Sequence, residues 1–232
     1  MLISEIFHSI QGEGILAGVP SVFIRTSGCN LRCSWCDTPY ASWQPEGTEM
    51  SLEQILAVVR QHSSTRHVVV TGGEPMIARQ MPDLLTALKN AGLHITIETA
   101  GTIAPGGVAC DLASLSPKLA HSTPSTDRAG AAWVEKHERL RLQPAVLRDW
   151  CSQYDFQLKF VASSDPDIAE IQSLLTEIDL PLPPDRILLM PEGISTESLR
   201  SRQQWIVQVC MQNGWRYCPR MHIELFGNRR GT

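Results

Sequence analysis

The 232 residues predict an α/β fold, an open or partial barrel of six parallel strands in one domain. Three observations carry this. Six short runs are β-branched or alternate apolar with polar, four amphipathic stretches with cap residues lie between them, and four of the six runs close on glycine. Six units are too few for a closed eight-stranded barrel.

Taken in chain order, SVFIRTSG (21–28) alternates and stops at Gly28. Ser51 then opens SLEQILAVVRQH with Gln54 three residues on, a capping box, and Leu52, Ile55, Leu56 and Val59 share one helical face. HVVVTGG (67–73) is a β-branched run, and PDLLTALKNAG (82–92) is a helix that ends at glycine. HITIETAG (94–101) and CDLASLSPK (110–118) are the third and fourth strands. The segment from about His121 to Trp150, beginning STPSTDRAG, reads as an insertion of flexible loop and short helix after the fourth strand. DFQLKFVAS (155–163) and RILLMPEG (186–193) complete the strands. DPDIAEIQSLLTEI (165–178), with Asp165 before Pro166, and TESLRSRQQWIVQVCMQNG (196–214), ending in Asn-Gly, complete the helices. Residues 217–232 form a C-terminal tail.

Composition narrows the function. A formal net charge of -4 offers no basic excess for binding nucleic acid. No run of apolar residues reaches the length of a membrane span, and MLISEIFHSIQGEG lacks the pattern of a signal peptide. Seven scattered cysteines do not resemble a secreted disulfide framework, so a reduced, cytoplasmic protein is expected.

Three of those cysteines are concentrated in GCNLRCSWCDT (28–38). Cys29, Cys33 and Cys36 have the spacing C-x3-C-x2-C and follow the C-terminal end of a strand, where parallel α/β folds place their chemistry. A structural zinc site wants four protein ligands, and the nearest histidines, His8 and His62, lie in other elements. A 4Fe-4S cluster on three cysteines leaves one iron open to a small molecule, which accounts for the missing fourth. Cys110, Cys151, Cys210 and Cys218 read as packed or incidental thiols.

The cysteine spacing with Trp35 before the last cysteine, together with the GGE of VVVTGGEP (68–75), resembles the radical S-adenosylmethionine (SAM) superfamily. FHSIQGEG (7–14), CDT (36–38), TGGEP (71–75), SPK (116–118) and HIELFGNRRG (222–231) further resemble the 7-carboxy-7-deazaguanine synthase family. The resemblance implies a partial (β/α)6 barrel, usually a homodimer. It implies a lyase that converts 6-carboxy-5,6,7,8-tetrahydropterin to 7-carboxy-7-deazaguanine with loss of ammonia, on the route to queuosine and related 7-deazapurines. The implied cofactors are a 4Fe-4S cluster, SAM, which the family regenerates at each turnover, and Mg2+, with a one-electron donor such as flavodoxin or ferredoxin.

The residues themselves suggest roles. Gly12 and Gly14 would let backbone from Ile10, Gln11 and Gly12 approach a planar pterin, while Glu13 would accept two N–H groups of an amino-pyrimidinone or be a solvated turn acid. Arg25, mid-strand, suits a substrate carboxylate or a structural ion pair. Thr38 offers a hydroxyl to Mg2+ with Asp37 beside it, the competing reading being a helix cap. By the resemblance Thr71 faces substrate, and Trp35, Asp37, Gly73, Glu74, Ser116 and Lys118 lie toward SAM. A side chain at Gly73 is expected to crowd the cofactor and spare the cluster. Gln157, Lys159 and Phe160 would line the cofactor or be an ordinary strand, and by the resemblance His222 would be substrate-side, the residue itself reading equally as a satisfied strand histidine.

Two other functions fit parts of the pattern. A glycyl-radical activase would need the same cysteine loop but neither CDT nor SIQGEG. A non-catalytic zinc module would be colourless and would not bind SAM.

Overall fold

The computed structural model describes all residues, Met1–Thr232. Its strands are β1 (Leu2–Ile10), β2 (Pro20–Thr26), β3 (Thr48–Glu49), β4 (His67–Gly72), β5 (His94–Thr99), β6 (Leu112–Leu115), β7 (Phe156–Ala162), β8 (Ile187–Pro191) and β9 (Arg216–Tyr217). All belong to one sheet of order β3-β1-β2-β4-β5-β6-β7-β8-β9. From β2 onward every pairing is parallel, whereas β1 runs antiparallel to β2 and β3. The six expected strands are β2 and β4 through β8. β1, β3 and β9 are additional, and β1 takes up residues 7–10 of the FHSIQGEG motif.

The helices are α1 (Pro39–Ser42), α2 (Leu52–Arg60), α3 (Met81–Asn90), α4 (Thr126–Ala129), α5 (Ala131–Arg141), α6 (Pro144–Gln153), α7 (Asp165–Ile178), α8 (Thr196–Asn213) and α9 (Met221–Phe226). The expected capping box forms in α2: Ser51 Oγ accepts from Gln54 N at 3.2 Å and Gln54 Oε1 accepts from Ser51 N at 2.8 Å. Gly214 ends α8 in the left-handed conformation, φ 69°.

The expected flexible insertion is largely helical. α6 is the crossover helix from β6 to β7 and buries Leu147, Trp150 and Cys151. α5 is polar around most of its surface and buries only His137.

One apolar core lies between the sheet and its helices, with Ile24, Val70, Ile97, Leu115, Leu158, Phe160 and Leu189 facing α-helical Leu84, Leu88, Trp150, Ile171 and Ile206. Alternation sends the intervening strand residues to the concave face. On β7, Leu158 and Phe160 enter this core while Lys159 turns to the opposite side, where it lines a cavity.

Candidate active site

The cavity opens at the C-terminal ends of the parallel strands and has a volume of about 780 Å³. One wall is the cysteine loop. Cys29, Cys33 and Cys36 all reach the cavity, and their flanks are Leu31, Ala100 and Leu140. Burial pushes the Cys29 and Cys33 thiols up to about 12, so thiolates there require a compensating positive charge.

The insertion braces this loop. Ser34 N donates to Ser122 O at 2.7 Å, and Arg32 N donates to His137 Nδ1 at 3.1 Å. The Arg32 guanidinium lies 3.8 Å from the centre of the Trp133 ring, a cation–π contact from the loop to α5. Trp35 stacks on His121 with centroids 5.5 Å apart.

After β4 the chain turns against the same loop. A Cβ at Gly73 would lie 2.6 Å from Ala41 O and 2.7 Å from Cys29 Cβ, with the Gly28 carbonyl closer still. The expected clash at Gly73 is therefore with the cluster loop itself. Glu74, expected against SAM, does not line the cavity. Its fully buried carboxylate accepts from Thr99 Oγ1 at 2.8 Å, Ala100 N at 2.9 Å and Met76 N at 3.1 Å, anchoring the turn after β4 to the end of β5.

Ser116 and Lys118 both line the cavity, and Lys118 Nζ donates to Ser116 Oγ at 2.8 Å and Ser116 O at 2.6 Å. The QLKF residues divide. Gln157 accepts from Ile15 N at 2.8 Å and donates to Ser114 Oγ at 2.7 Å, bracing the loop after β1. Phe160 is in the core on the helix face, because neighbours in a strand point to opposite sides. Only Lys159 of the three faces the cavity, and it pairs with Glu13.

Around Glu13 the N-terminal loop and the tail interlock. Glu13 Oε2 accepts from Lys159, and Oε1 accepts from Arg220 Nε at 3.0 Å. Burial would raise this carboxyl, but the Lys159 and Arg220 charges overcome it and hold Glu13 far below the usual carboxylate range. Glu13 is thus ionised and only accepts. The glycines serve different neighbours from those expected. A Cβ on Gly12 would lie 2.8 Å from His222 Cγ, and one on Gly14, at φ 77°, would lie 2.7 Å from Gln157 Oε1. They make room for side chains of the tail and of β7. Gln11 N and O are bonded to Val19 and Gly18 and Gly12 O accepts from Met221 N, while Gln11 and Gly12 both line the cavity. Ile10 lines the cavity, and Gln11 Nε2 donates to Glu98 at 3.0 Å. His222 lies on α9 instead of on a strand.

Arg25 forms the ion pair that competed with its substrate role: Nε donates to Glu5 at 2.7 Å. Its terminal nitrogens are not used in that bond, and the side chain lines the cavity beside Thr71, its neighbour in the β2–β4 register. Thr38 precedes α1 without capping it, so its hydroxyl is not spent on the helix. Asp37 pairs with Arg220 Nη2. Arg220 and Glu98 line the cavity without any motif in the sequence to mark them, although the inward alternation of HITIETAG would have exposed Glu98.

Comparison with known proteins gives one consistent relationship. The Radical SAM superfamily model matches residues 23–129. A 7-carboxy-7-deazaguanine synthase of Rhodopirellula baltica is 47% identical over 233 residues, covering 100% of this chain and 89% of its own. The enzyme of the same name from Halobacterium salinarum is 45% identical over 240 residues, covering 99% and 92%. The crystal structure of QueE from Escherichia coli is similar with a TM-score of 0.70 at 27% identity, covering 95% of this chain and 94% of that one. TYW1 with a lysine-pyruvate adduct, at 12% identity and a TM-score of 0.53, covers 83% and 73% and shares the fold alone.

Proposed function

The chain belongs to the 7-carboxy-7-deazaguanine synthase family of radical SAM lyases, and from that premise we propose that the cavity at the mouth of its barrel is where the family reaction takes place. That reaction converts 6-carboxy-5,6,7,8-tetrahydropterin to 7-carboxy-7-deazaguanine with release of ammonia, in 7-deazapurine biosynthesis. One observation carries the placement: the three-cysteine loop and the doubly paired Glu13 are walls of the same cavity.

The residues suit the cofactors. Cys29, Cys33 and Cys36 would hold a 4Fe-4S cluster, whose iron supplies the positive charge that their buried thiolates need. Ser116 and Lys118 would meet the carboxylate or ribose of SAM. When bound, the cluster and SAM supply the one-electron chemistry that removes a hydrogen atom from the substrate. For Mg2+, the hydroxyl of Thr38 is a hard oxygen donor free of helix capping, with Asp37 behind it.

The protein's own groups hold the substrate. Ionised Glu13 accepts the N–H groups of the amino-pyrimidinone edge, and the terminal nitrogens of Arg25 suit a carboxylate. The tail packs His222 on Gly12 at the wall of this cavity. We read the working unit as a homodimer in the cytoplasm served by a flavodoxin or ferredoxin, and seven free cysteines fit a reducing compartment. No helix is long and apolar enough to cross a membrane.

Anaerobic incubation of the reconstituted protein with 6-carboxytetrahydropterin, SAM, Mg2+ and a one-electron reductant tests the reading. Formation of 7-carboxy-7-deazaguanine supports it. SAM cleavage that leaves the pterin intact would point to the activase instead, and absence of both iron and SAM binding would point to the zinc module.

A further inference from the structure

Arg220 is 7% exposed and spends three guanidinium nitrogens on three separate parts of the chain. Nε donates to Glu13 Oε1 at 3.0 Å, Nη1 to Gly193 O at 2.6 Å, and Nη2 to Asp37. The loop after β1, the loop after β8 and the cysteine loop thus meet at one cation. The backbone next to it adds a fourth tie, since Met221 N donates to Gly12 O at 2.9 Å. Lys159 holds the other oxygen of Glu13 from the far side.

We propose that Arg220 is a positioning residue for the reaction: it fixes the direction in which Glu13 presents its lone pairs to the substrate, and fastens that carboxylate to Asp37 beside Thr38. The role requires arginine. A planar fork makes several bonds in fixed directions, whereas an ammonium is a point charge that cannot span Glu13, Asp37 and the Gly193 carbonyl in the same geometry. Lys159 supplies charge to Glu13 but touches neither the cysteine loop nor Gly193, so it does not replace the bridge.

The proposal rests on the function assigned above and is tested in the reconstituted enzyme with Arg220→Lys and Arg220→Gln. Steady-state KM and kcat for 6-carboxytetrahydropterin are measured, with iron per chain and visible absorbance as controls. Arg220→Lys is expected to raise KM by about tenfold and to change kcat by less than about threefold at unchanged iron content. Arg220→Gln is expected to be worse. It removes a buried charge and is more prone to misfold, so the lysine variant decides the matter alone. A double substitution adds a readout that mere loosening of structure would not produce. If Arg220 acts through Glu13, then Glu13→Gln with Arg220→Lys has the same KM as Glu13→Gln alone. A KM for Arg220→Lys within about twofold of the parent, or full additivity in the double variant, overturns the role. A parent that fails to turn over the pterin overturns both this proposal and the function beneath it. An active parent with an unaffected lysine variant overturns only the role of Arg220.

Discussion

His137 Nδ1 accepts the backbone N–H of Arg32, in the middle of the cysteine loop, at 3.1 Å. That bond assigns the tautomer: the proton sits on Nε2, which donates to Ser122 Oγ at 3.0 Å, and Ser122 donates to Leu119 O at 2.6 Å. Burial lowers this imidazole from 6.5 to about 4, so the folded protein keeps it neutral. The unfolded chain binds the proton more readily, and the stabilisation is therefore complete above pH 6.5 and lost as pH falls toward 4. His137→Gln keeps an acceptor and a donor but does not titrate. Iron retained per chain after equilibration across that range is expected to fall less steeply in the variant. Parallel profiles would free His137 from holding the cluster loop.

Gly73 separates packing from cofactor binding. Gly73→Ala would drive a methyl into Ala41 O and Cys29 Cβ, at 2.6 and 2.7 Å before relaxation. Overpacking of this kind costs about 1–3 kcal/mol, and here the strain falls on a cluster ligand. The variant is expected to purify with less iron and a lower Tm. Full iron content with only weakened SAM affinity would restore the simpler reading, in which this glycine makes space for the cofactor.

Thr38→Val removes an oxygen while keeping nearly the same shape. Because Thr38 makes no side-chain cap to α1 and only a long 3.8 Å contact with Cys36 Sγ, the substitution is expected to leave stability and iron content nearly unchanged. Product formation and its stimulation by Mg2+ should fall by tenfold or more, on the order of a lost metal ligand. Turnover with the parent's Mg2+ dependence would move the metal elsewhere.

The remaining thiols divide by position. Alanine at Cys29, Cys33 or Cys36 should abolish the cluster, whereas alanine at Cys110, Cys151 or Cys210 should not. Cys218 is buried against Val161, Leu188 and Met190, and its Sγ accepts from Gly14 N at 3.1 Å. Cys218→Ala is expected to keep the iron and raise the substrate KM about two- to fivefold, through a loosened loop after β1. Loss of iron from Cys218→Ala would show the tail acting on the cluster directly.

What the sequence reveals follows from the range of each interaction. Strands β2 and β4 through β8 announce themselves because their helix-facing residues are apolar and largely β-branched, and the cysteine loop does so because its ligands are neighbours. β1 is harder to see: Glu5, His8 and Ser9 interrupt it, and SIQGEG draws attention as a loop. α5 is hidden because a helix that buries one histidine has no apolar stripe. Arg220 leaves no local trace, since its partners Glu13 and Asp37 lie 207 and 183 residues away along the chain. Phe160 misleads for the opposite reason. It sits in a four-residue pattern whose members the strand distributes to two faces.

The central claim is that this cavity performs a radical rearrangement of a pterin in which SAM acts as a recycled cofactor. The most direct test is to count, in one anaerobic reaction with 6-carboxytetrahydropterin, the 7-carboxy-7-deazaguanine formed, the ammonia released and the SAM consumed. The expected result is product and ammonia in equal amounts over many turnovers, with SAM nearly unchanged, and none of either from Cys33→Ala. SAM consumed in step with 5′-deoxyadenosine while the pterin stays intact and no ammonia appears would contradict the account.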